Sequence, residues 1–140
     1  MKVKPKAVID TNIFLSGLLN EFGAPAKLIK HFQNDEFLLV LSENILQEYQ
    51  EVILEFNNDV LINQADDLFL TILNRAIFIN PSEKHDVCRD KDDNKFIDCA
   101  IAANAEYIVT KNIKHFPIKK YKGIKIVKIK DFLTVIEQNK

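Results

Sequence analysis

Short apolar runs that alternate with helical stretches are the feature that most limits how this chain can fold. The apolar runs, each of strand length, lie at residues 6–10, 37–41, 76–80, 107–110 and 124–129. Helical periodicity and capping signals predict helices at residues 11–19, 25–34, 43–56, 60–74, 92–105 and 131–138. Apolar strands separated by helices are typical of a parallel sheet covered on both faces. We therefore predict an α/β fold, a three-layer α/β/α sandwich around a mostly parallel sheet of about five strands.

The length and composition of the chain suit one intracellular domain. The chain has 140 residues, 47% of them hydrophobic, which predicts a single domain over residues 1–140 with one core. No apolar run approaches the ~20 residues that span a bilayer. The basic start of the chain leads into a strand rather than a signal-peptide core. Cys88 and Cys99 lack metal-site spacing, and we expect reduced thiols in a cytoplasmic protein without membrane contact.

Three polar residues stand where predicted strands end. Asp10, Ser42 and Thr110 each close or follow an apolar run. In open α/β sheets the ligand site lies beyond the carboxyl ends of the strands, so these residues are candidates for a site. A strand-end aspartate also caps the following helix in many proteins, and Asp10 alone does not distinguish the two roles.

Glu48 lies at the edge of an amphipathic helix. At 100° per residue, Ile45, Tyr49 and Val52 form an apolar stripe, and Glu48 lies about 40° beyond its margin. The side chain can therefore point along the buried edge toward the strand ends. A solvated glutamate on the helix surface is the alternative interpretation.

Two further acids belong to the helix predicted at residues 92–105. Asp93 lies at its start, on the same side as Phe96, where the helix dipole favours a carboxylate by about 0.3–1 kcal/mol. Asp98 has Ile101 and Ala102 as helix-surface neighbours. An acid among small apolar residues needs a cation, a hydrogen-bond donor or a proton.

Carboxylates that converge from strand and helix ends predict a metal site. Without a cation, three or four such groups repel one another and raise one another's pKa. Hard oxygen ligands suit Mg²⁺ or Mn²⁺, whereas zinc calls for cysteine or histidine ligands, and His31, His85 and His115 lack zinc-site spacing. Such a site supports metal-assisted hydrolysis of phosphodiester bonds.

Four segments of the chain, which correspond to three motifs, resemble those of PIN domains, in particular those of toxins from toxin–antitoxin pairs. The resemblance covers residues 7–130 and rests on the segments VIDTNIFLS (8–16), LSENILQEY (41–49), DKDDNKFIDCA (90–100) and AEYIVT (105–110). It implies a Mg²⁺- or Mn²⁺-dependent ribonuclease with Asp10, Glu48 and Asp93 as core metal ligands and Asp98 assisting. Thr11 and Asn12 would orient Asp10, and Ser42 or Thr110 would hydrogen-bond the site.

One position departs from the family pattern. PIN domains usually have an acid two residues after the Ile-Val-Thr strand, where this chain has Asn112. An asparagine can offer a carbonyl ligand but no charge, so metal affinity should fall. Lys111 adds a positive charge nearby that competes with a metal or contacts a phosphate.

Charge is unevenly distributed although the net charge is −1. Residues 83–98 contain six acids, whereas residues 111–130 contain eight lysines and no carboxylate. A lysine run of this kind is often only a solvated face. Beside a nuclease site it would bind RNA phosphates, and we expect this role for Lys111, Lys114, Lys119 and Lys120.

The sequence thus predicts hydrolysis of single-stranded RNA by the toxin of a toxin–antitoxin pair, with an antitoxin protein as partner and a homodimer as the assembly. The alternative is a degenerate PIN domain that binds protein or RNA without cleaving it, which Asn112 favours. Apolar residues of the helix predicted at 60–74, including Leu68 and Leu73, offer a surface for such partners. A receiver domain would need an aspartate at a mid-chain strand end, and a haloacid-dehalogenase-like phosphatase would need a second acid at Asn12.

Overall fold

A six-stranded sheet forms the centre of the molecule in a computed structural model that describes residues 3–139. The strands are β1 (Lys6–Ile9), β2 (Leu38–Leu41), β3 (Ile77–Phe78), β4 (Tyr107–Thr110), β5 (Lys120–Tyr121) and β6 (Ile124–Lys128). Their order across the sheet is β3-β2-β1-β4-β6-β5, and every pair is parallel except β5 with β6. The predicted α/β architecture with a mostly parallel sheet is confirmed.

Six α-helices between residues 3 and 139 cover the sheet. They are α1 (Thr11–Leu19), α2 (Ala24–Gln33), α3 (Glu43–Glu55), α4 (Asp59–Arg75), α5 (Asn94–Ala102) and α6 (Ile129–Gln138). Helix α5 packs on β1, β2 and β4, whereas α2 contacts α1, α4 and α6. The chain moves outward from β1 through β2 to β3 and then returns to β4 on the other side of β1. Right-handed crossovers in these opposite directions place helices on opposite faces of the sheet.

The reversal of strand order creates a crevice at the carboxyl ends of β1 and β4. The connection after β1 leads toward β2, whereas the connection after β4 leads toward β6 on the far side. Loops therefore diverge above these two strands, the place where open α/β sheets bind ligands. Asp10 and Thr110 lie at this crevice.

The sheet has one strand more than predicted, and β3 has two residues where five were expected. The missed strand, β5, pairs antiparallel with β6 through a tight hairpin. Lys122 and Gly123 both have positive φ angles, 48° and 87°, as the central residues of a type I′ turn require. The strand β5 has two residues and lies inside a lysine-rich run. It is too short to show the alternation of apolar and polar side chains by which a strand is predicted.

The helix predicted at residues 92–105 is shorter than expected at both ends. A 3₁₀ turn, Lys91–Asp93, precedes α5, and α5 ends at Ala102. Asn104 adopts a left-handed conformation with φ 54°, and the Ala105 N–H donates to the Ala100 carbonyl at 2.8 Å. This arrangement is a left-handed helix cap in which asparagine takes the usual place of glycine.

Gly17 does not interrupt α1, because α2 crosses closely at this point. A Cβ atom on Gly17 would lie 2.9 Å from the Pro25 carbonyl oxygen and would also clash with Ile29. The glycine therefore lets two helices approach each other, which offsets the cost of about 1 kcal/mol that glycine carries inside a helix.

The hydrophobic core contains both cysteines and most of the apolar side chains of α4. Cys88 and Cys99 are buried free thiols, as predicted, and burial raises the pKa of each to about 12. In α4, Leu61, Leu68 and Ile72 face the core, whereas Leu70 and Leu73 are exposed. Within the part of the chain that the structure describes, no helix is long and apolar enough to cross a membrane.

Tyr49 connects α3 to the end of β1, next to Asp10. Its ring is buried, and its hydroxyl donates to the Ile9 carbonyl. Losing a buried hydrogen bond of this kind should lower the free energy of unfolding of Tyr49→Phe by about 1–2 kcal/mol, measured by urea denaturation. Tyr107→Phe is the matched control, since the Tyr107 hydroxyl makes no hydrogen bond within residues 3–139. Equal losses in both variants would contradict this role of the Tyr49 hydroxyl.

Candidate functional site

Asp10 is held at the end of β1 by contacts from β4. Its backbone N–H donates to the Val109 carbonyl at 2.9 Å, and the Thr110 hydroxyl donates to its Oδ2 at 2.8 Å. The side chain makes no capping hydrogen bond to α1. Burial raises the pKa of Asp10, the Thr110 hydrogen bond opposes that rise, and the charge of Glu48 adds to it. A hydrogen bond from the Thr11 backbone N–H also opposes the rise. The carboxylate thus occupies the N-cap position of α1 and is partly desolvated at the crevice.

Glu48 extends from α3 into the same crevice. Its position at the margin of the apolar stripe predicted that the side chain points toward the strand ends. Its Oε2 accepts a hydrogen bond from the Thr11 hydroxyl, and its Oε1 lies 2.6 Å from the Lys95 Nζ. The side chain is 24% exposed. The periodicity of α3 therefore turns this carboxylate toward the strand ends rather than into bulk solvent.

Asp93 enters from the start of α5, where it occupies the N-cap position. Its Oδ2 lies 3.7 Å from the His115 Nδ1, and its side chain is 17% exposed. Burial and, next, the negative charge of Asp10 raise the pKa of Asp93 to about 6, against an opposing effect of His115. Asp93 and Asp10 are therefore close enough to repel each other.

Three carboxylates thus meet at one crevice, and their chemistry fits a hard divalent cation. Asp10 interacts electrostatically with Glu48 and with Asp93, and each interaction raises a carboxyl pKa. Oxygen donors of this kind suit Mg²⁺ or Mn²⁺. Among residues 3–139, no three histidine, cysteine, aspartate or glutamate side chains already stand together in ligating positions. A metal would have to draw Glu48 away from its present partners.

The cation beside Glu48 is Lys95, a residue that the sequence pattern did not identify. Its Nζ lies 2.6 Å from Glu48 and 2.7 Å from Asp92, and its side chain is 12% exposed. Burial lowers the pKa of Lys95, but the hydrogen bonds and charges of the two carboxylates outweigh that effect and raise it. The spacing of Asp92 and Lys95 indicates a pair on one helix face, but nothing local indicates the contact with Glu48, 47 residues away.

Asp98, predicted to assist as a fourth metal ligand, bonds His85 in the loop before α5. Its Oδ1 accepts hydrogen bonds from the His85 backbone N–H at 2.7 Å and from the ring Nδ1 at 2.8 Å. These hydrogen bonds supply the donors that an acid among small apolar residues needs, and they join that loop to α5. The metal-ligand role of Asp98 stays a prediction.

The predicted supporting residues take different roles. Thr110 bonds Asp10 as expected, and the Thr11 backbone N–H also lowers the pKa of Asp10, while the Thr11 hydroxyl donates to Glu48. Asn12 is exposed, and its side chain makes no hydrogen bond with the residues described, so it does not orient Asp10. Ser42 occupies the N-cap position of α3 without capping it and donates to the Asn44 side chain.

Asn112 and His115 border the acids on the β4 side. The Asn112 backbone N–H donates to the Thr110 hydroxyl at 3.1 Å, which in turn bonds Asp10. Its Nδ2 lies 3.0 Å from the His115 Nε2. The sequence does not indicate a site role for His115, because this histidine lacks zinc-site spacing. Its position, in the loop after a strand that ends at the crevice, is the sequence feature that could have indicated a place near the acids.

The lysines predicted to bind RNA lie along the loop and hairpin after β4. Lys111 is exposed and donates to the hydroxyl of Ser16, on α1, at 2.7 Å. Lys114, Lys119 and Lys120 are also exposed. Only Lys111 and Lys114 flank Asn112 in sequence, so these two are the nearer candidates for contact with a phosphate.

The fold matches solved structures over most of the chain. It superposes on PAE2754 from Pyrobaculum aerophilum with a TM-score of 0.62 and 14% identity, over 96% of this chain and 90% of that one. It also superposes on VapBC2 from Rickettsia felis, solved with a DNA fragment from its promoter, with a TM-score of 0.56 and 19% identity. That match covers 88% of this chain and 98% of the other. At these identities the likeness shows the fold alone.

Two sequence matches identify the family. The chain is 34% identical over 110 residues to the uncharacterized protein MJ1680 of Methanocaldococcus jannaschii, which spans 74% of this chain and 69% of that protein. The PIN domain family matches residues 6–114, a range that contains Asp10, Glu48 and Asp93. The chain therefore belongs to the PIN domain family.

Proposed function

We propose that this protein is a Mg²⁺- or Mn²⁺-dependent endoribonuclease that hydrolyses single-stranded RNA. The observation that carries the proposal is the meeting of Asp10, Glu48 and Asp93, from three separate elements, at the crevice above β1 and β4. PIN domains are generally nucleases and typically use divalent metals. The acid set has the chemistry for such a metal, and exposed lysines lie in the loop and hairpin that follow β4.

Each group has a distinct task in the proposed reaction. Asp10, Glu48 and Asp93 would hold the metal, which supplies Lewis-acid stabilisation and a water of lowered pKa when it is bound. Thr110 keeps the Asp10 carboxylate oriented through its hydrogen bond. Lys111 and the neighbouring exposed lysines would neutralise phosphates of the bound strand, which makes RNA binding sensitive to salt.

The toxin of a toxin–antitoxin pair is the biological role that we propose, acting in the cytoplasm with an antitoxin protein and as a homodimer. The support is the motif resemblance together with the fold shared with VapBC2 of Rickettsia felis. Exposed apolar side chains of α4, Leu70 and Leu73, provide surface for a partner. Expression of the chain alone should arrest growth, and co-expression of the adjacent reading frame should relieve the arrest.

A binding module without nuclease activity is the second candidate function. Two observations favour it. Asn112 stands where PIN domains usually have an acid, and Lys95 forms an ion pair with Glu48. Incubation of the purified protein with labelled single-stranded RNA and Mn²⁺ distinguishes the candidates. Metal-dependent cleavage that stops with EDTA and is lost in Asp10→Asn would support the nuclease. RNA binding without cleavage in any divalent metal would favour the module.

Asn112→Asp should tighten Mn²⁺ binding about tenfold. The substitution places one more negative charge next to the acids, and a tenfold change corresponds to ~1.4 kcal/mol, well within the range of nearby charges at a protein surface. An aspartate can keep the present acceptor role of the Asn112 Oδ1 toward the Lys114 N–H. Calorimetry with Mn²⁺ measures the change, and Asn20→Asp, at an exposed position after α1, is the control. Unchanged affinity would show that position 112 does not contribute to the metal site.

Lys95→Met should also tighten Mn²⁺ binding, because it removes the cation that competes for Glu48. The same change should lower the free energy of unfolding of the metal-free protein by about 1–2 kcal/mol, since a partly buried carboxylate loses its partner. Lys91→Met, at an exposed lysine in the adjoining 3₁₀ turn, is the matched control. Weaker Mn²⁺ binding in Lys95→Met than in the control would indicate that Lys95 helps to position the ligands rather than competing with the metal.

A further inference from the structure

A second concave site adjoins the acids on the side away from β4. This cavity has a volume of about 340 Å³ and lies beyond the carboxyl ends of β2 and β3, where Ser42 and Asn80 form part of its wall. Lys95 also lines it and at the same time bonds Glu48 at 2.6 Å. The cavity therefore begins one hydrogen bond away from the proposed metal ligands.

The charges around the cavity do not suit a phosphate. Three acids, Glu43, Glu83 and Asp98, line it against two cations, Lys84 and Lys95. The charge of Lys95 is already compensated by two carboxylates, and Asp98 is bonded to a histidine. The uncompensated negative charge of the lining would repel an anion in the cavity, whereas it would not repel a neutral polar group.

Apart from the Ser42 hydroxyl, the uncharged polar side chains of the cavity are carboxamides, which both donate and accept hydrogen bonds. The Asn44 oxygen accepts from Ser42, which leaves its amide group as a donor. The Gln47 amide donates to Glu51 at 3.1 Å, which leaves its oxygen as an acceptor. The Asn80 side chain makes no hydrogen bond with residues 3–139. Mixed donors and acceptors of this kind match the edge of a nucleobase, and asparagine and glutamine are common base-reading residues.

We propose that this cavity is a base-recognition subsite for a nucleotide of single-stranded RNA, next to the phosphate that lies at the acids. The inference rests on the proposed nuclease function and adds a preference at one position of the substrate. None of the side chains lining the cavity is aromatic, so stacking, which holds bases without regard to identity, contributes little. Hydrogen bonding dominates instead, and the subsite should select among bases more than it increases overall affinity.

Titration of the metal-free, isotope-labelled protein with the four uncharged ribonucleosides tests the site directly by NMR, because a phosphate would be repelled by the acids when no metal is bound. The side-chain amide resonances of Asn44, Gln47 and Asn80 should shift, and the shifts should differ among the four bases. Ribose, which lacks a base, should leave these resonances in place. Equal shifts with ribose, or no shift with any nucleoside, would overturn the inference.

Cleavage of an RNA library tests the same site in the working enzyme. Asn44→Ala and Asn80→Ala should each reduce the preference for one base near the cut about tenfold, the scale of one good base contact. Asn74→Ala, at an exposed asparagine of α4, should keep the wild-type preference. Cleavage with unchanged preference in both cavity variants would overturn the subsite and leave the nuclease standing. Base-dependent shifts without cleavage would overturn the nuclease and leave the subsite standing.

Discussion

Replacing Asp10 with asparagine is expected to lower the rate of RNA cleavage by about 10²–10³-fold or more, the cost of losing one preorganised charge at a reacting centre. Asparagine preserves the shape of the side chain and can still accept the hydrogen bond from Thr110. The variant therefore removes the charge and little else. Initial rates with labelled RNA and saturating Mn²⁺ measure the effect.

The stability of the same variant separates a catalytic role from a structural one. Burial raises the pKa of Asp10, so the charged form is disfavoured in the folded, metal-free protein. At pH 7, Asp10→Asn should leave the free energy of unfolding equal or higher. Asp35→Asn is the comparison, because Asp35 precedes β2 at the opposite edge of the sheet and its φ of 60° suits asparagine. Asp35 pairs with Lys4 at 2.7 Å on the surface, so Asp35→Asn should keep the wild-type cleavage rate and lose a little stability. Loss of activity together with a comparable loss of stability in Asp10→Asn would contradict the proposal.

Mn²⁺ binding should weaken by about tenfold for each pH unit below pH 6, because binding must displace one proton from Asp93. The pKa of this group is raised to about 6 by burial and then by the charge of Asp10. His115 lowers it, so His115→Gln should move the midpoint to higher pH. Calorimetric titrations between pH 5 and pH 7 at constant ionic strength measure the dependence. An affinity that does not change over this range would show that Asp93 is not a ligand.

The stability of the metal-free protein should depend on the same group with the opposite sign. Its folded pKa of about 6 lies above the ordinary value of 3.8, so the folded state binds more protons between these two values. The contribution of Asp93 to the free energy of unfolding is therefore present below pH 3.8 and is lost as the pH rises through 6. Asp93→Asn should remove this dependence, and Mn²⁺ at pH 7 should restore the lost stability in the wild type only.

The order of the elements was predictable because buried strands and amphipathic helices leave periodic patterns in the sequence. The strand β4 (Tyr107–Thr110) matched its predicted bounds, since a run of buried β-formers ends at the crevice. The hairpin strand β5 did not, because its two residues depend on a turn at Lys122 and Gly123 rather than on side-chain alternation. The early end of α5 depended in the same way on one left-handed residue, Asn104.

The acids could be selected from the sequence, but their partners could not. The periodicity of α3 indicated that Glu48 turns toward the strand ends, where the structure has it. The same kind of reasoning did not identify the hydrogen-bond partner of Asp98, because His85 lies in a loop without regular spacing. The contact of Lys95 with Glu48 joins two elements distant in sequence and is fixed only by the packing of α5 beside α3.

Mn²⁺ titration by calorimetry is the most direct test of the claim that Asp10, Glu48 and Asp93 form one metal site. At pH 7 the wild type and Asp35→Asn should bind Mn²⁺ with equal affinity. Asp10→Asn, Glu48→Gln and Asp93→Asn should each bind at least about tenfold more weakly, as expected when a ligand is lost. Equal affinity in the wild type and the three variants would contradict the account.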